Sequence, residues 1–528
     1  MEKLVLLATL SCSLLVNMAS AQTTVPPAKD SISSIPKQNP AAQMAKTYKD
    51  EKGNIISAGS YKTNNNPCDI IYITPVKPDL YKQVTDKQLI KKYNHWLAND
   101  AAKHALGFYK DAWQISHPDA HSRTQAPFYI ALVPGGNNTA LGFSLENNGG
   151  VSVKSHMPYI KLDPDPTIFT HVLLHETGHM ILMLLNGGNQ LPVSQIASIP
   201  HSTAAITDRT TAFDEGFAIH FETYLTLFTN DKNLRELYEA KQLNFGVKGI
   251  KEEYLRQVAD IVTFSQTRSR YYDVLNNNFS FTSAFKDQGY LRTQLDKSRD
   301  FSSLRNPDQL LQSEGFYASF FISIIAGGQK QYLPSVAQPE YHYLFKCIYA
   351  MFKQFPPSAD SPYLLELTEI MARQNQQQAK RAILILNDLS HGVFIDPDAA
   401  AVWKSIYTAA INMDLSYIKN AEDEKVRNAW NNKVLAQPSV LYAFIHKPVV
   451  CSVPKVNITL IALEDSSKLS FDLNTVEEGV IKLVPDITPA EVNNFMLERS
   501  HRAFENYADF EKRCNWSKET LNELVLSN

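Results

Sequence analysis

The sequence predicts an α+β protein, mainly helical, with its strands gathered ahead of one buried helix and a helical region behind it. Three observations carry that expectation. Apolar residues recur at helical spacing over most of the chain beyond residue 165. Alternating, β-rich runs are confined to residues 69–160 and to short segments after 451. The stretch Thr167 to Leu185, TIFTHVLLHETGHMILMLL, is too long for a strand and has helix signals at both ends. Asp165 is placed to cap it, Pro166 fits the first helical position, and Asn186-Gly187-Gly188 supplies the stop.

In chain order, Met1 to Ala21 has a Lys, an apolar core from Leu4 to Val16, and Ala19-Ser20-Ala21 before Gln22, the pattern of a cleaved secretory signal. Export is therefore expected, to the periplasm or the extracellular space. No later segment has 18 uninterrupted apolar residues, so no membrane span is expected after cleavage. Residues 22–66, rich in Thr, Pro, Ser, Asn and Gln, read as a flexible leader. Order is expected from Cys68, with a strand over Asp69 to Ile73 and a long helix over Thr85 to Trp113. Further strands are expected over Phe128 to Val133, Leu141 to Leu145 and Val151 to Ile160, the last two joined at Asn147 to Gly150. Beyond the apolar helix, Asn233 to Phe264 and Gln309 to Ala326 read as helices. Pro334 to Pro339 and Pro356-Pro357 read as linkers in a region that is helical from Glu340 to Leu435. After Cys451 the pattern changes to short strands, Val456 to Ala462 and Lys468 to Leu473.

At 528 residues the chain is long enough for two or three domains. The boundaries expected are 67–335 for the unit holding the apolar helix, 336–450 for a helical region and 451–528 for a terminal module. A formal charge of -3 argues against a polyanion-binding surface. With Cys12 in the signal, Cys68, Cys347, Cys451 and Cys514 remain, an even number that allows two disulfides; Cys451 with Cys514 is the preferred pair because both lie in the last segment.

The apolar helix carries His175, Glu176 and His179 as HExxH. Residues four apart stand nearly above one another on a helix, so both imidazoles address one point. Glu176 is a third of a turn round, within reach of a water held there. That arrangement suits a zinc ion and a water it activates, with Glu176 as general base. His171 continues the stripe one turn earlier, but it stands about 12 Å from His179 along the axis, too far to share a tetrahedral shell. It reads as a supporting or packing residue.

Zinc needs a third protein ligand. The position six residues beyond the motif is Leu185, which rules out a third His there. The next candidate is Glu215, which opens a helical pattern in TAFDEGFAIHFETYL, Thr211 to Leu225; His201 and His220 are its alternatives.

At this point a family resemblance appears. Asp214-Glu215-Gly216-Phe217-Ala218, with Glu222 seven residues beyond Glu215, resembles the N-E-G-F-A segment and trailing Glu of the gluzincins, especially the leukotriene hydrolase and alanyl aminopeptidase group. The resemblance implies a gluzincin-type catalytic domain with a small mixed sheet, one zinc per chain held by His175, His179 and Glu215, and peptide or protein substrates. It also implies a strand bordering the cleft that holds the substrate backbone, for which Val151 to Ser155 is the candidate. Asp214 and Glu222 are placed to orient the ligands.

Three departures from the family are visible. The 35 residues between His179 and Glu215 make a longer connection, so Asn186 to Arg209 is expected to form an extra loop over the cleft. Asp replaces Asn at 214. No G-x-M-E-N segment lies upstream, where the chain has Asn147-Asn148-Gly149-Gly150-Val151, so recognition of a free amino terminus is not implied. Ser313 to Phe320 resembles the helix that presents a Tyr to the developing oxyanion, but alignment on Gly315 puts Gln312 at that position. Tyr317, Tyr271 and Tyr272 are the alternative donors.

The last segment carries a second resemblance. Asp472-Leu473-Asn474-Thr475, then Leu483 to Pro489, then Phe504 and Phe510, are similar to the order of helix-hairpin-helix modules. Asp486 and Thr488 stand where DNA-binding members have hairpin glycines, and a carboxylate facing phosphate is repulsive. The module is expected to be a structural or protein-binding cap, with no nucleic acid partner. Two other readings of the whole chain stay open, an exported zinc-binding scaffold without catalysis and a zinc hydrolase of a non-peptide amide or ester.

Overall fold

The computed structural model describes residues 47–49, 55–57, 68–119, 126–147, 150–192, 206–227, 306–326, 334–390, 394, 421–453, 469–476, 481–482 and 484–526. The expected signal, the helix over Asn233 to Phe264, the strand over Val456 to Ala462, and His201, Tyr271 and Tyr272 lie outside the described residues. Among the described residues the chain is α+β, with helices predominating and a small mixed sheet. No described helix is long and apolar enough to cross a membrane.

Within the expected leader, β1 (Thr47–Lys49) pairs antiparallel with β2 (Ile55–Ser57). The mixed sheet has five strands, β3 (Cys68–Lys77), β4 (Leu80–Gln83), β5 (Ala126–Leu132), β6 (Asn137–Asn147) and β7 (Gly150–Leu162). They close on themselves in the order β3-β4-β6-β7-β5. The β6–β7 and β3–β4 pairs are antiparallel and the other three contacts are parallel. Side-chain alternation gives these strands two buried faces. Ile73, Tyr81, Tyr129, Phe143 and Tyr159 fill the barrel, while the neighbours Tyr72, Phe128, Ile130 and Ile160 turn outward against the helices. Burial on both sides explains why Phe128 to Leu132 reads as an unbroken apolar run.

The single helix expected over Thr85 to Trp113 is two, α1 (Lys87–Trp96) and α2 (Asp100–Ser116). Asn99 makes the break: its side chain accepts from Ala102 N–H at 2.7 Å and donates to the Trp96 carbonyl at 2.9 Å. One residue thereby caps one helix and closes the other. The HExxH helix is α3 (Pro166–Leu185). Its end is closed by Gly188 N–H donating to the Met183 carbonyl at 2.9 Å and Gly187 N–H to that of Leu184 at 3.0 Å, the paired bonds of a Schellman stop. Helix α4 (Arg209–Leu227) carries Glu215. Asp208 caps it, its carboxylate accepting from Thr211 N–H at 2.8 Å.

The helix expected over Gln309 to Ala326 is a short turn, Pro307–Leu310, followed by α5 (Glu314–Ala326). Four more helices follow, α6 (Pro334–Gln354), α7 (Tyr363–Gln374), α8 (Gln376–Leu389) and α9 (Ala421–Ala436). The expected linker Pro334 to Pro339 is instead the start of α6, where Pro334 opens the helix and Pro339 falls within its second turn. Tyr341, Phe345, Ile348, Tyr363 and Leu386 join the same apolar core as Leu173 and Phe213, so α6, α7 and α8 are packed against the unit that holds α3 and α4.

Within that core Glu366 is buried on α7, and burial, with Glu369 close by, pushes its pKa up to about 7. A raised carboxyl pKa stabilises the fold below the unfolded value near 4.5, and that contribution is lost as pH rises through 7. Glu366→Gln is therefore expected to remove a loss on the order of 2 kcal/mol between pH 5 and pH 8. Urea unfolding at the two pH values checks this; equal pH slopes in variant and parent would contradict it.

A second apolar cluster, built from Val449 to Leu524, belongs to the terminal module. It holds β8 (Val450–Val453), β9 (Leu469–Asp472), β10 (Val525–Leu526), α10 (Pro489–His501), α11 (Tyr507–Cys514) and α12 (Lys518–Asn522). The Asp472 carboxylate accepts from Val449 and Asn474 N–H groups. The Asn474 side chain pairs with both backbone groups of Phe504, at 2.7 and 2.9 Å. Asp486 takes a left-handed φ of 60°, as a hairpin glycine would, and Thr488 caps α10 in a reciprocal box with Glu491. The preferred Cys451–Cys514 disulfide is not formed: all four described cysteines are free and buried. Cys451 and Cys514 pack as apolar side chains in the module core, where burial pushes both thiols up to about 12.

Candidate metal centre

Two helices cross at a point set by two small residues. Gly178 of α3 lies so close to α4 that a Cβ there would stand 2.8 Å from the Ala218 Cα. That contact puts Glu215 beside the histidine pair. The His175 and His179 Nε2 atoms are 3.2 Å apart. Glu215 places Oε2 3.3 Å from His175 Nε2 and Oε1 3.7 Å from His179 Nε2. Four ligands at zinc's usual bond lengths of 2.0–2.1 Å stand about 3.3 Å apart along a tetrahedron edge. The histidine pair matches that edge, and the two Glu215 oxygens stand 3.3 and 3.7 Å from one imidazole each, so the donor set has the chemistry and spacing to hold a zinc ion. Among the described residues they form the one His/Cys/Asp/Glu group of three able to hold a metal.

The outer nitrogens are also engaged. His179 Nδ1 lies 2.8 Å from Asp214 Oδ1 and His175 Nδ1 lies 3.3 Å from Glu222 Oε2. At about 100° per residue, Glu222 sits roughly 20° from Glu215 on α4 and Asp214 about 100° away. One helix thus supplies the facing carboxylate and both outer ones. Burial opposes charge on the imidazoles, but Glu215 and Glu222 hold the pKa of His175 well above normal, and Asp214 with Glu215 raises that of His179 to about 9.

Glu176, 5% exposed, points to the neighbouring strand. The Thr139 hydroxyl on β6 lies 2.8 Å from its carboxylate and 3.0 Å from its backbone carbonyl. Burial raises the Glu176 pKa, with His179, His175 and Thr139 acting against it. His175 and Glu215 keep 22% and 20% side-chain exposure, so the cluster opens to solvent on one side.

Several expected participants stand elsewhere. His220 is fully buried among Phe217, Phe321 and Tyr341, roughly 140° round α4 from Glu215. Burial lowers its pKa to about 3, and its Nε2 faces the Tyr341 hydroxyl at 3.3 Å. It is not a rival ligand. Tyr317 is fully buried behind α4, against Phe213 and Gly216, which turn away from the cluster; it is a packing residue there, not an oxyanion donor. The side chain of His171 lies outside the described residues. Gln312 is structural: its carbonyl accepts from Thr207 N–H at 2.8 Å. Val151 to Ser155 is paired toward the far end of the β6–β7 hairpin, with Val151 facing Glu146, whereas Thr139 faces Ile160. It is displaced from the Glu176 carboxylate by roughly 20 Å of strand. Of the expected loop over the cleft, residues 193–205 lie outside the described residues.

Sequence reasoning missed Gly178 and Thr139. The Gly inside HETGH is a signal for the first, since glycine in a helix costs about 1 kcal/mol unless something must come close. Nothing local marks Thr139.

No family model, curated protein or solved structure matches this chain.

Proposed function

We propose that the chain is an exported zinc metallopeptidase of gluzincin type, with one zinc held by His175, His179 and Glu215. The observation that carries this reading is the set of three donor separations, 3.2, 3.3 and 3.7 Å, beside a buried carboxylate and open to solvent on one side. A purely structural zinc is closed by four protein ligands, whereas a catalytic one keeps a position open. Bound there, zinc supplies the Lewis acidity that makes water nucleophilic near neutral pH and polarises a peptide carbonyl.

The chain's own residues do the rest. Glu176 takes the proton of the attacking water and delivers it to the leaving amine. Thr139 holds that carboxylate in place. Asp214 and Glu222 accept from the Nδ1–H groups, which fixes the tautomer that turns each Nε2 lone pair forward. The β6 strand at Thr139 borders the cleft and is the segment along which an extended peptide would lie.

A peptide mixture from a digested proteome, incubated with the protein and read by mass spectrometry, tests the reading. New cleavage products are expected, lost on chelation and restored by zinc. Zinc-loaded protein that cuts no peptide would favour the scaffold, and turnover of acyl esters alone would favour the non-peptide hydrolase.

A further inference from the structure

The N-terminus of the Glu215 helix is tied to three distant segments. The Arg209 guanidinium, 4% exposed, donates to Asp308 Oδ1 at 2.9 Å, to the His446 carbonyl at 2.9 Å and to the Asp360 carbonyl at 2.5 Å. His446 Nδ1 lies 2.8 Å from the other Asp308 oxygen. Two residues before Arg209, Thr207 N–H donates to the Gln312 carbonyl at 2.8 Å, and Ile206 bridges Ser313.

The terminal module grips this same segment. Thr475 donates to Gln312 Oε1 at 3.2 Å, Gln309 Nε2 to the Thr475 carbonyl at 3.3 Å, and Asn306 Nδ2 to the Asn474 carbonyl at 3.4 Å. The Asp-Leu-Asn-Thr turn that resembles a helix-hairpin-helix signature thus faces the support of α4.

We infer that Arg209 and the Thr475–Gln312–Thr207 relay are positioning elements for the Glu215 carboxylate, which makes the terminal module part of the metal centre's scaffold. A helix axis is fixed by two points. The Gly178–Ala218 contact supplies one and Arg209 the other, about 13 Å away along α4. Glu215 lies a third of the way from the first point to the second. A slip of about 1 Å at Arg209 moves Glu215 by about 0.3 Å, beyond the ±0.2 Å tolerance of a metal–ligand distance. The inference rests on Glu215 being a ligand.

The test is a double-mutant cycle in the full-length protein, with affinity for the zinc ion alone as its readout. Thr475→Val removes the hydroxyl bridging module and relay and keeps its shape; Asp308→Asn loosens Arg209 and keeps one acceptor. Each is expected to weaken zinc about 10-fold with far-UV circular dichroism unchanged, and to have no further effect once Glu215→Gln is present. Equal weakening with and without Glu215→Gln, or no weakening by either variant, overturns the positioning role. If Glu215→Gln alone leaves zinc affinity unchanged, the ligand assignment falls first and this inference with it.

Discussion

Glu176→Gln is expected to lower peptide hydrolysis by about 10²–10⁴-fold, the usual contribution of a general base, while zinc stays near one per chain. The substitution keeps the shape of the side chain and removes its chemistry. Gln has the volume of Glu, and its amide oxygen still accepts from Thr139, whose hydroxyl now lies 2.8 Å from the carboxylate. The amide cannot take a proton from water or hand one to a leaving amine. Glu176 is also absent from the His175, His179 and Glu215 group, so its loss leaves the three donors in place. The fall should therefore appear in kcat, with KM little changed. Thr139→Val, which removes only the hydroxyl, should cost less and act through the same step. A Glu176→Gln protein that cleaves peptides at the parent rate would remove Glu176 from the mechanism.

Most of this centre was legible because its geometry is local. The spacing of His175 and His179 on an uninterrupted apolar helix is enough to face both rings one way, and the structure keeps that helix from Pro166 to Leu185. Asp214, Glu215 and Glu222 share one helix, so their relative placement also follows from spacing. What could not be read depends on pairing across the chain. Closure of five strands into a barrel is decided by contacts such as β4 with β6, 60 and more residues apart in sequence, and no periodicity encodes it. The same holds for the cleft strand: Val151 to Ser155 and the Thr139 segment have similar patterns, and only the register of β6 with β7 says which one meets Glu176. The break at Asn99 was hidden by continuous helical spacing of apolar residues across it, although an Asn before Asp100 is an ordinary N-cap. The Asp472 to Thr475 turn was read by resemblance as part of a module, but its use against Gln309 and Gln312 is a tertiary fact.

Gly178→Ala is expected to weaken zinc binding on the order of 100-fold and to lower thermal stability, against the direction that helix propensity dictates. In an isolated helix, Ala in place of Gly stabilises by about 1 kcal/mol. Here the new methyl would stand 2.8 Å from the Ala218 Cα and 3.3 Å from its Cβ. Carbon atoms in comfortable contact are about 3.5–4.0 Å apart, so the helices must separate by nearly 1 Å. The obstacle is backbone, which no rotamer change can clear. Nor can α4 retreat freely, because α5 packs closely behind it at Gly216, where an added Cβ would stand 2.5 Å from the Tyr317 Cβ. The separation falls between His179 and Glu215, and metal–ligand distances tolerate only about 0.2 Å. Zinc titration and thermal melts of metal-free protein separate the two effects: the first reports the lost ligand geometry, the second the strained packing. Gly178→Val should worsen both, since it adds bulk at the same contact. If Gly178→Ala instead binds zinc as tightly as the parent and melts higher, the close crossing of α3 and α4 is not what brings the carboxylate to the histidines.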